Sequence, residues 1–338
     1  MIQQRSSKKK KSPKIGVVVP AFRVRNHILE VLTQIGPEVA IICVVDDMCP
    51  EKSGEYVRSV SRDRRVSVIF HHENQGVGGA TKSGFKFLLK QECDVIVKLD
   101  GDGQMDPSLI PQLVAPILNE EADYCKGNRF ATFSGLRRMP KVRLIGNVFL
   151  SFASKASSGY WNTFDPNNGF VAISSPVLRA IDLNAVSQRY FFESDMLFQL
   201  GLIRARVQDI PTPTKYGEEK SSLSIFKAAL EFPLKHLRNF TKRIFLNYFV
   251  RDFSLPSFQL LFGSLLSIGA IIFGVYHFIR SQRMNMGTEP GTLILFAVLL
   301  IIGFQLLLGF INHDVQSSPN RAISRDLKLL QNRPTNKE

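Results

Sequence analysis

Short apolar runs alternate with helical patterns over the first two-thirds of the chain. Apolar residues at helical spacing mark residues 28–35 and 78–90, and four runs rich in β-branched residues predict strands over residues 15–20, 41–45, 66–70 and 95–99. This alternation predicts an α/β domain over residues 15–230, with a mostly parallel sheet and helices on both faces. Ligands of such sheets bind beyond the carboxyl ends of the strands, where we expect the functional residues.

Two long apolar segments near the C-terminal end indicate a membrane protein rather than a soluble one. Residues 255–279 and 291–311 are almost free of charge, and each reaches the roughly 20 apolar residues that a bilayer span needs. They predict a transmembrane hairpin over residues 255–311. The alternative is a pair of buried helices in a soluble core, but core helices seldom run so long without a polar face.

The distribution of basic residues around this hairpin predicts its orientation. The connection 280–290 is short, whereas several lysines and arginines lie before residue 255 and in the tail 312–338. Positive flanks favour the cytosolic side. The first apolar run is short and ends at Pro20, so we expect no cleaved signal. The sequence therefore predicts an integral membrane protein with a cytosolic α/β domain, in a bacterial inner membrane or the endoplasmic reticulum.

Residues 231–254 predict a juxtamembrane amphipathic helix, because apolar residues recur at helical spacing with basic residues between them. A second candidate, residues 141–157, places Val148, Phe149 and Phe152 on one face; an ordinary core-packed helix is the alternative there. We expect the basic residues of both segments to attract lipid head groups or an acceptor phosphate: Arg138, Lys141, Arg143, Lys235, Arg238, Lys242 and Arg243.

The formal net charge of +14 calls for an anionic partner, and part of it lies in a basic tail, residues 1–14, that we expect to be disordered. The net charge alone does not distinguish among nucleic acid, phosphorylated ligands and a membrane surface as the partner. We expect no nucleic-acid partner. The four cysteines lack the spacing of a metal site, so we interpret them as ordinary thiols of a reducing compartment.

Candidate chemistry follows the strands. Asp100, Asp102 and Gln104 alternate directly after the fourth run, and their oxygens suit Mg²⁺ or Mn²⁺. Asp46 and Asp47 end the second run, as expected if a nucleotide lies across neighbouring loops. The glycine-rich stretch 71–80 opens a helix that could bind a phosphate, or it is a tight turn without a ligand.

The order of these motifs along residues 15–225 resembles glycosyltransferase family 2. The motifs read VVVPAF, VVDDMCPE, HHENQGVGGATKSGF, VKLDGDGQMDP, GNRF, DPNNGF and FFESDMLFQL. The D-x-D-x-Q form and the two terminal spans are similar to the polyprenyl-phosphate glycosyltransferases, which include the dolichyl-phosphate mannose synthases. The resemblance implies a GT-A fold, which is a Rossmann-like sheet with helices on both faces.

The resemblance also implies roles for individual residues. Asp100, Asp102 and Gln104 would hold the metal against the donor diphosphate, and Arg129 would bind a phosphate. The other donor-binding residues would be Pro20, Phe22, Asp46, Asp47 and Gly79. Asp165 and Asp195 would lie near the acceptor as catalytic residues, although each could instead stabilise a loop or a helix start. This chain has Arg23-Val24 where the family usually has Asn-Glu, so no base preference is carried over.

We therefore expect metal-dependent, inverting transfer of one sugar from a nucleotide sugar to an undecaprenyl or dolichyl phosphate at the cytosolic membrane face. Two alternatives stay open: transfer to a lipid or glycolipid hydroxyl, and a catalytically silent scaffold of glycan assembly. The sequence leaves homo-oligomerisation open.

Overall fold

A computed structural model describes residues 12–131, 141–213 and 225–331, and its core is one seven-stranded sheet of order β3-β2-β1-β4-β6-β5-β7. The strands are β1 Ile15–Ala21, β2 Val39–Asp46, β3 Val66–Phe70, β4 Val95–Lys98, β5 Tyr124–Asn128, β6 Val171–Ser174 and β7 Val207–Pro211. All neighbours pair in parallel except β6, which runs antiparallel to both β4 and β5. The predicted α/β, mostly parallel sheet is confirmed, and the reversed strand makes it a mixed sheet.

Helices cover both faces of this sheet. They are α1 Ile28–Thr33, α2 Ser53–Val60, α3 Gly76–Lys90, α4 Ile110–Leu118, α5 Lys141–Ser158, α6 Ser175–Ala180 and α7 Phe192–Leu202. Two apolar clusters, one on each side of the sheet, form the core. Gly84 lets α3 approach β1 closely, because a Cβ there would lie 2.0 Å from Cγ2 of Val18.

The C-terminal part consists of long helices. These are α8 Ile225–Phe245, a π-helical turn Leu246–Arg251, α9 Leu255–Met284, α10 Pro290–Gln316 and α11 Ser324–Gln331. Both α9 and α10 are long and apolar enough to cross a membrane, and only 11% of each apolar window is buried in the protein. They are therefore not helices of a soluble core. Gly263 and Gly303 lie at their contact, where an added Cβ would meet the other helix.

The segment after the hairpin returns to the α/β domain. Asp123, buried before β5, accepts hydrogen bonds from the backbone amides of Ile323 and Ser324 at 2.8–3.0 Å, and also from Arg206 N at 2.8 Å. Its carboxylate thus caps the N-terminus of α11. The helices α8 and α11, which flank the hairpin, both contact the α/β domain, so the two ends of the hairpin lie near that domain.

The predicted tail 1–14 falls mostly outside the described residues. The helix predicted over residues 231–254 begins earlier, at Ile225, and ends in the π-helical turn rather than as continuous α-helix. The four cysteines are all free and buried.

Candidate active site

A cleft lies at the edge of the sheet where β4, β5 and β7 end and β6 begins. Asp100, Asp102 and Gln104 line one part of it, and Arg129 lines another. Asp102 Oδ1 accepts a hydrogen bond from Gln104 N at 3.0 Å, and Gly103 turns the loop with a φ of +77°. The structure thus brings together the three oxygen ligands predicted from the sequence.

The donor set of this loop fits a divalent cation. Two carboxylates and a carboxamide are the hard oxygen ligands that Mg²⁺ and Mn²⁺ prefer. Among the described residues, no three His, Cys, Asp or Glu side chains form a closed metal site. An open set of this kind is suited to an ion that completes its coordination with water and substrate phosphates.

A buried lysine lies next to the acidic loop, residues 100–104. Lys98 Nζ, 1% exposed, lies 2.8 Å from Asp100 Oδ1 and 3.3 Å from Glu193 Oε1. Burial alone would lower the pKa of Lys98, but the two carboxylates raise it above its ordinary value, so the lysine is charged. Burial raises the pKa of Glu193. The sequence reasoning missed this pair, although a lysine that ends an apolar strand is itself a signal that a buried partner exists.

Arg129 is fixed by Asp165. Its Nε and Nη2 donate to the Asp165 carboxylate at 2.7 and 2.8 Å, and its backbone N donates at 3.2 Å. Asn168 Nδ2 adds a fourth hydrogen bond at 3.1 Å. Burial would raise the pKa of Asp165, but the guanidinium outweighs it and lowers that pKa below its ordinary value. Asp165 therefore holds Arg129 at the cleft and is a poor proton acceptor.

A second buried lysine organises the loop that contains Asp165. Lys126 Nζ donates to the Phe164 carbonyl and lies 3.3 Å from Asp209 Oδ1. Asp209 Oδ2 accepts from Asn128 Nδ2 at 3.1 Å and from Phe164 N at 2.7 Å. Burial lowers the pKa of Lys126 and raises that of Asp209. These residues were also missed, because β5 and β7 were not recognised as strands.

Asp46 and Asp47 are both buried at the end of β2. The Asp46 carboxylate accepts from Cys49 N at 2.7 Å and Gly54 N at 2.6 Å. The Asp47 carboxylate lies 2.7 Å from His71 Nδ1 and accepts from the amides of residues 75 and 76. Their donor-binding roles stay predictions, and these contacts show that both carboxylates shape the loops around the strand ends.

The glycine-rich turn packs against protein. Gly79 N donates to the carbonyl of Gln188 at 2.9 Å, and an added Cβ at Gly78 would lie 2.5 Å from the carbonyl oxygen of Ser187. These contacts favour the tight turn without a ligand, because the Gly79 amide already donates to protein, and the donor-binding role of Gly79 stays a prediction.

The two remaining candidates for binding the nucleotide sugar lie at the end of β1 and directly after it. Pro20 is buried in β1 beside Val45 of β2, and Phe22 follows the strand with its ring 39% exposed. The Arg23 guanidinium lies 5.4 Å from the Phe22 ring centroid, a cation–π contact. The exposed ring is available to stack on a base, and both assignments stay predictions.

Asp195, on α7, is engaged away from the cleft. Its carboxylate accepts from Ser187 N at 2.9 Å, from Ser187 Oγ, and from Asn239 Nδ2 of α8 at 2.7 Å. It does not line the cleft, so its contacts favour the structural alternative over a catalytic role.

The structure places the basic residues that were predicted to contact lipid head groups in different environments. Arg138 lies outside the described residues, as do the side chains of Lys141 and Arg143. Lys235 is half-buried on α8, and Arg238 and Lys242 are exposed there. Arg243 is a correction: it is 3% exposed and pairs with Asp314 at 2.7 Å, so it cannot reach a lipid head group.

Two helices present apolar faces outward. Val148, Phe149 and Phe152 of α5 are 60–71% exposed, and the apolar side chains of Leu234 and Leu237 on α8 are similarly exposed. Because α5 and α8 pack together, these residues form a surface suited to an interfacial position. The core-packed alternative for α5 does not account for this exposure.

Comparison with known proteins gives three findings. A family model described as "Glycosyl transferase family 2" matches residues 16–182. An undecaprenyl-phosphate mannosyltransferase from Micrococcus luteus is 30% identical over 56% of this chain and 79% of its own length. A UDP-N-acetylglucosamine–dolichyl-phosphate N-acetylglucosaminyltransferase from Methanococcus voltae is 32% identical over 46% of this chain and 61% of its own length.

Among solved structures, glucosyl-3-phosphoglycerate synthase from Mycobacterium tuberculosis, in complex with Mn²⁺, UDP and glucosyl-3-phosphoglycerate, matches with a TM-score of 0.50. The match has 17% identity and covers 68% of this chain and 80% of that one. At this identity the likeness concerns the fold alone, and the expected GT-A fold is confirmed.

The Asp165–Arg129 pair predicts a pH-dependent contribution to stability. The folded-state pKa of Asp165 is lowered, so its contribution is present above the unfolded pKa of about 3.9 and is lost as the pH falls through the folded value. We expect Asp165→Asn to lower the thermal unfolding temperature in detergent at pH 7, with a gap to the unmodified protein that narrows below about pH 4. Asp326→Asn, which removes an exposed partner of Arg321, is the control and should change little. A gap independent of pH would contradict this role.

Proposed function

The chain belongs to glycosyltransferase family 2, and on that premise we propose that it transfers one sugar, with inversion, from a metal-bound nucleotide sugar to a polyprenyl phosphate at the cytosolic face of a membrane. The observation that carries the proposal is the cleft, where an oxygen-rich loop and a fixed guanidinium lie together. Exposed apolar helix faces and two spanning helices accompany it.

The residues Asp100, Asp102 and Gln104 would hold the cation. When bound, it would neutralise the charge that develops on the departing diphosphate. The Mn²⁺ in the structure of the M. tuberculosis synthase supports a divalent ion in this fold. Lys98 keeps Asp100 in place through a 2.8 Å ion pair, and Gly169 allows the close approach, since a Cβ there would lie 2.4 Å from Lys98 Nζ.

The class of acceptor is inferred from the absence of a suitable general base at Asp165 and Asp195. Asp165 accepts four hydrogen bonds and Asp195 accepts three, so neither is disposed to remove a proton from a hydroxyl group. A phosphate monoester has a second pKa of about 6 and is largely dianionic at neutral pH, so it can attack without a base. The sequence resemblance implies that Arg129 binds a donor phosphate, but a bound metal would already neutralise the donor diphosphate, so we assign the Arg129 guanidinium to the acceptor phosphate instead. Relatives named for undecaprenyl and dolichyl phosphates support this acceptor class.

The membrane orientation is inferred from the returning tail. Since Asp123 caps α11, the end of the hairpin is held against the α/β domain, and basic residues lie on both flanks. Cytosolic placement of the domain satisfies the positive-inside rule. Enzyme and lipid acceptor would then share one surface, which raises their effective concentration.

The metal assignment predicts that Asp102→Asn weakens Mn²⁺ binding, measured by electron paramagnetic resonance, and lowers sugar transfer by at least about 100-fold. A metal contributes several kcal/mol of charge stabilisation, and each 1.36 kcal/mol is tenfold in rate. Asp182→Asn, at an exposed loop position, is the control and should leave both measurements unchanged. Normal turnover in Asp102→Asn would overturn the assignment.

The acceptor assignment predicts transfer to a short isoprenyl monophosphate and none to the isoprenol of the same length. At saturating donor and metal, the acidic limb of the pH–rate profile should follow the second phosphate pKa, roughly 6, in the unmodified protein and in Asp165→Asn. Donor affinity is measured at each pH, so that protonation of the metal ligands is not mistaken for acceptor titration. If the limb disappears in Asp165→Asn while donor affinity holds, that aspartate is a general base and a hydroxyl acceptor fits better.

The orientation predicts which side of the membrane each end of the hairpin occupies. Met286 lies in the connection and Leu330 in the tail, and both side chains are exposed, whereas the four native cysteines are buried. In intact bacterial cells that carry the protein in their inner membrane, a maleimide that does not cross that membrane should label Met286→Cys and should label Leu330→Cys only after permeabilisation. The reverse pattern would refute a cytosolic domain.

A further inference from the structure

Asp314, near the C-terminal end of α10, is a meeting point of three parts of the chain. Its carboxylate accepts from Arg243 Nη1 and Nη2 at 2.7 and 2.9 Å, and from the Tyr248 hydroxyl at 2.7 Å. It also accepts from Trp161 Nε1 at 3.0 Å. Asp314 and Arg243 are each 3% exposed. A buried carboxylate with this set of donors has little freedom to move, because any displacement leaves a charge unpaired.

Trp161 belongs to the loop 159–170, so its hydrogen bond to Asp314 joins that loop to the hairpin. A second contact runs beside it: Ser318 Oγ donates to the Gly159 carbonyl at 3.1 Å, and Trp161 N donates to Ser318 Oγ at 3.4 Å. The start of the loop is thus bonded to the inner end of α10 through both side chain and backbone.

The same loop contains the residue that fixes the cleft arginine. Three residues separate Trp161 from Asp165, and Phe164, the last of them, is held by Asp209 and Lys126. Asp165 has a φ of +51°, a conformation that a non-glycine residue keeps only when its surroundings determine it. A short loop restrained at Trp161 and at Phe164 provides such surroundings.

We propose that the inner end of the second membrane helix is a positioning element of the active site. Asp314, through Trp161, orders the loop 159–170, and Asp165 of that loop aims Arg129 into the cleft. The hairpin then does more than retain the protein at the membrane, because its cytosolic end contributes to the binding of the acceptor phosphate. This last step rests on the proposed function, whereas the ordering of the loop does not.

The test compares two substitutions that each remove one hydrogen bond between an uncharged donor and the Asp314 carboxylate. Trp161→Phe removes the hydrogen-bond donor on the loop 159–170, and Tyr248→Phe removes the hydrogen-bond donor on the π-helical turn. Both keep the Arg243–Asp314 ion pair, so neither leaves a buried charge alone. Hydrogen exchange of the full-length protein in detergent, without ligand, is followed by mass spectrometry. We expect faster exchange of residues 162–170 in Trp161→Phe than in Tyr248→Phe, and equal exchange in the two variants would overturn the proposal.

The functional readout is affinity for a short isoprenyl monophosphate. A hydrogen bond to a charged group is worth at least about 1.5 kcal/mol, so Trp161→Phe should weaken acceptor binding by roughly tenfold, with the affinity for the nucleotide sugar unchanged. Tyr248→Phe should change neither affinity. Equal acceptor affinity in both variants would overturn the role in phosphate binding. If the unmodified protein does not bind the monophosphate, the proposed acceptor fails, and the exchange experiment alone decides whether Asp314 orders the loop.

Trp161 is the single tryptophan of the chain, so its fluorescence reports directly on the same contact. Asp165→Asn, which alters the other end of the loop, should shift the Trp161 emission in the ligand-free protein. Asp326→Asn, on the exposed tail, is the matched control and should not. An emission spectrum that is identical in all three proteins would contradict coupling between Asp165 and the hairpin.

Discussion

Three ion pairs, each with at least one buried partner, hold the cleft in shape. Lys98 with Asp100, Lys126 with Asp209, and Arg129 with Asp165 lie at the same edge of the sheet. The buried charge of each pair, on Lys98, Lys126 or Asp165, would be costly without its partner, so the two side chains of a pair are held together. The loop that offers oxygen ligands and the arginine that faces it are consequently fixed before any substrate arrives, which is the condition for electrostatic catalysis.

The mixed sheet explains how these pairs come together. The strand β6 runs antiparallel between β4 and β5, so its first residue, Val171, is level with both Lys98 and Lys126. The chain just before β6 therefore reaches the cleft from the same edge at which the parallel strands end. That placement brings Asp165 to Arg129 across a separation of 36 residues along the chain, and Asn168 donates to the same carboxylate.

Features that depend on neighbouring residues could be predicted from the sequence, whereas contacts between residues far apart in the chain could not. The first four strands, both spans and the alternation of Asp100, Asp102 and Gln104 are local patterns, and the structure places all of them as expected. The partners Lys98 and Glu193 are 95 residues apart, and Arg243 and Asp314 are 71 apart. Periodicity correctly marked Arg243 as part of an amphipathic helix, but it reports neither the depth of a side chain nor the residue that covers it. The short strands β5 and β7 contain lysine, aspartate and glycine, which hid their β-character.

The π-helical turn Leu246–Arg251 has a geometric consequence for the contacts of Asp314. In an α-helix, side chains five positions apart point about 140° away from each other, because successive residues rotate by roughly 100°. Tyr248 follows Arg243 by five positions, yet both bond the same carboxylate. The wider turn absorbs the difference in angle. The wider turn also ends the helix, since Asp252 and Ser254 are extended before α9 begins, so the carboxylate of Asp314 rather than a continuous helix joins the juxtamembrane segment to the hairpin.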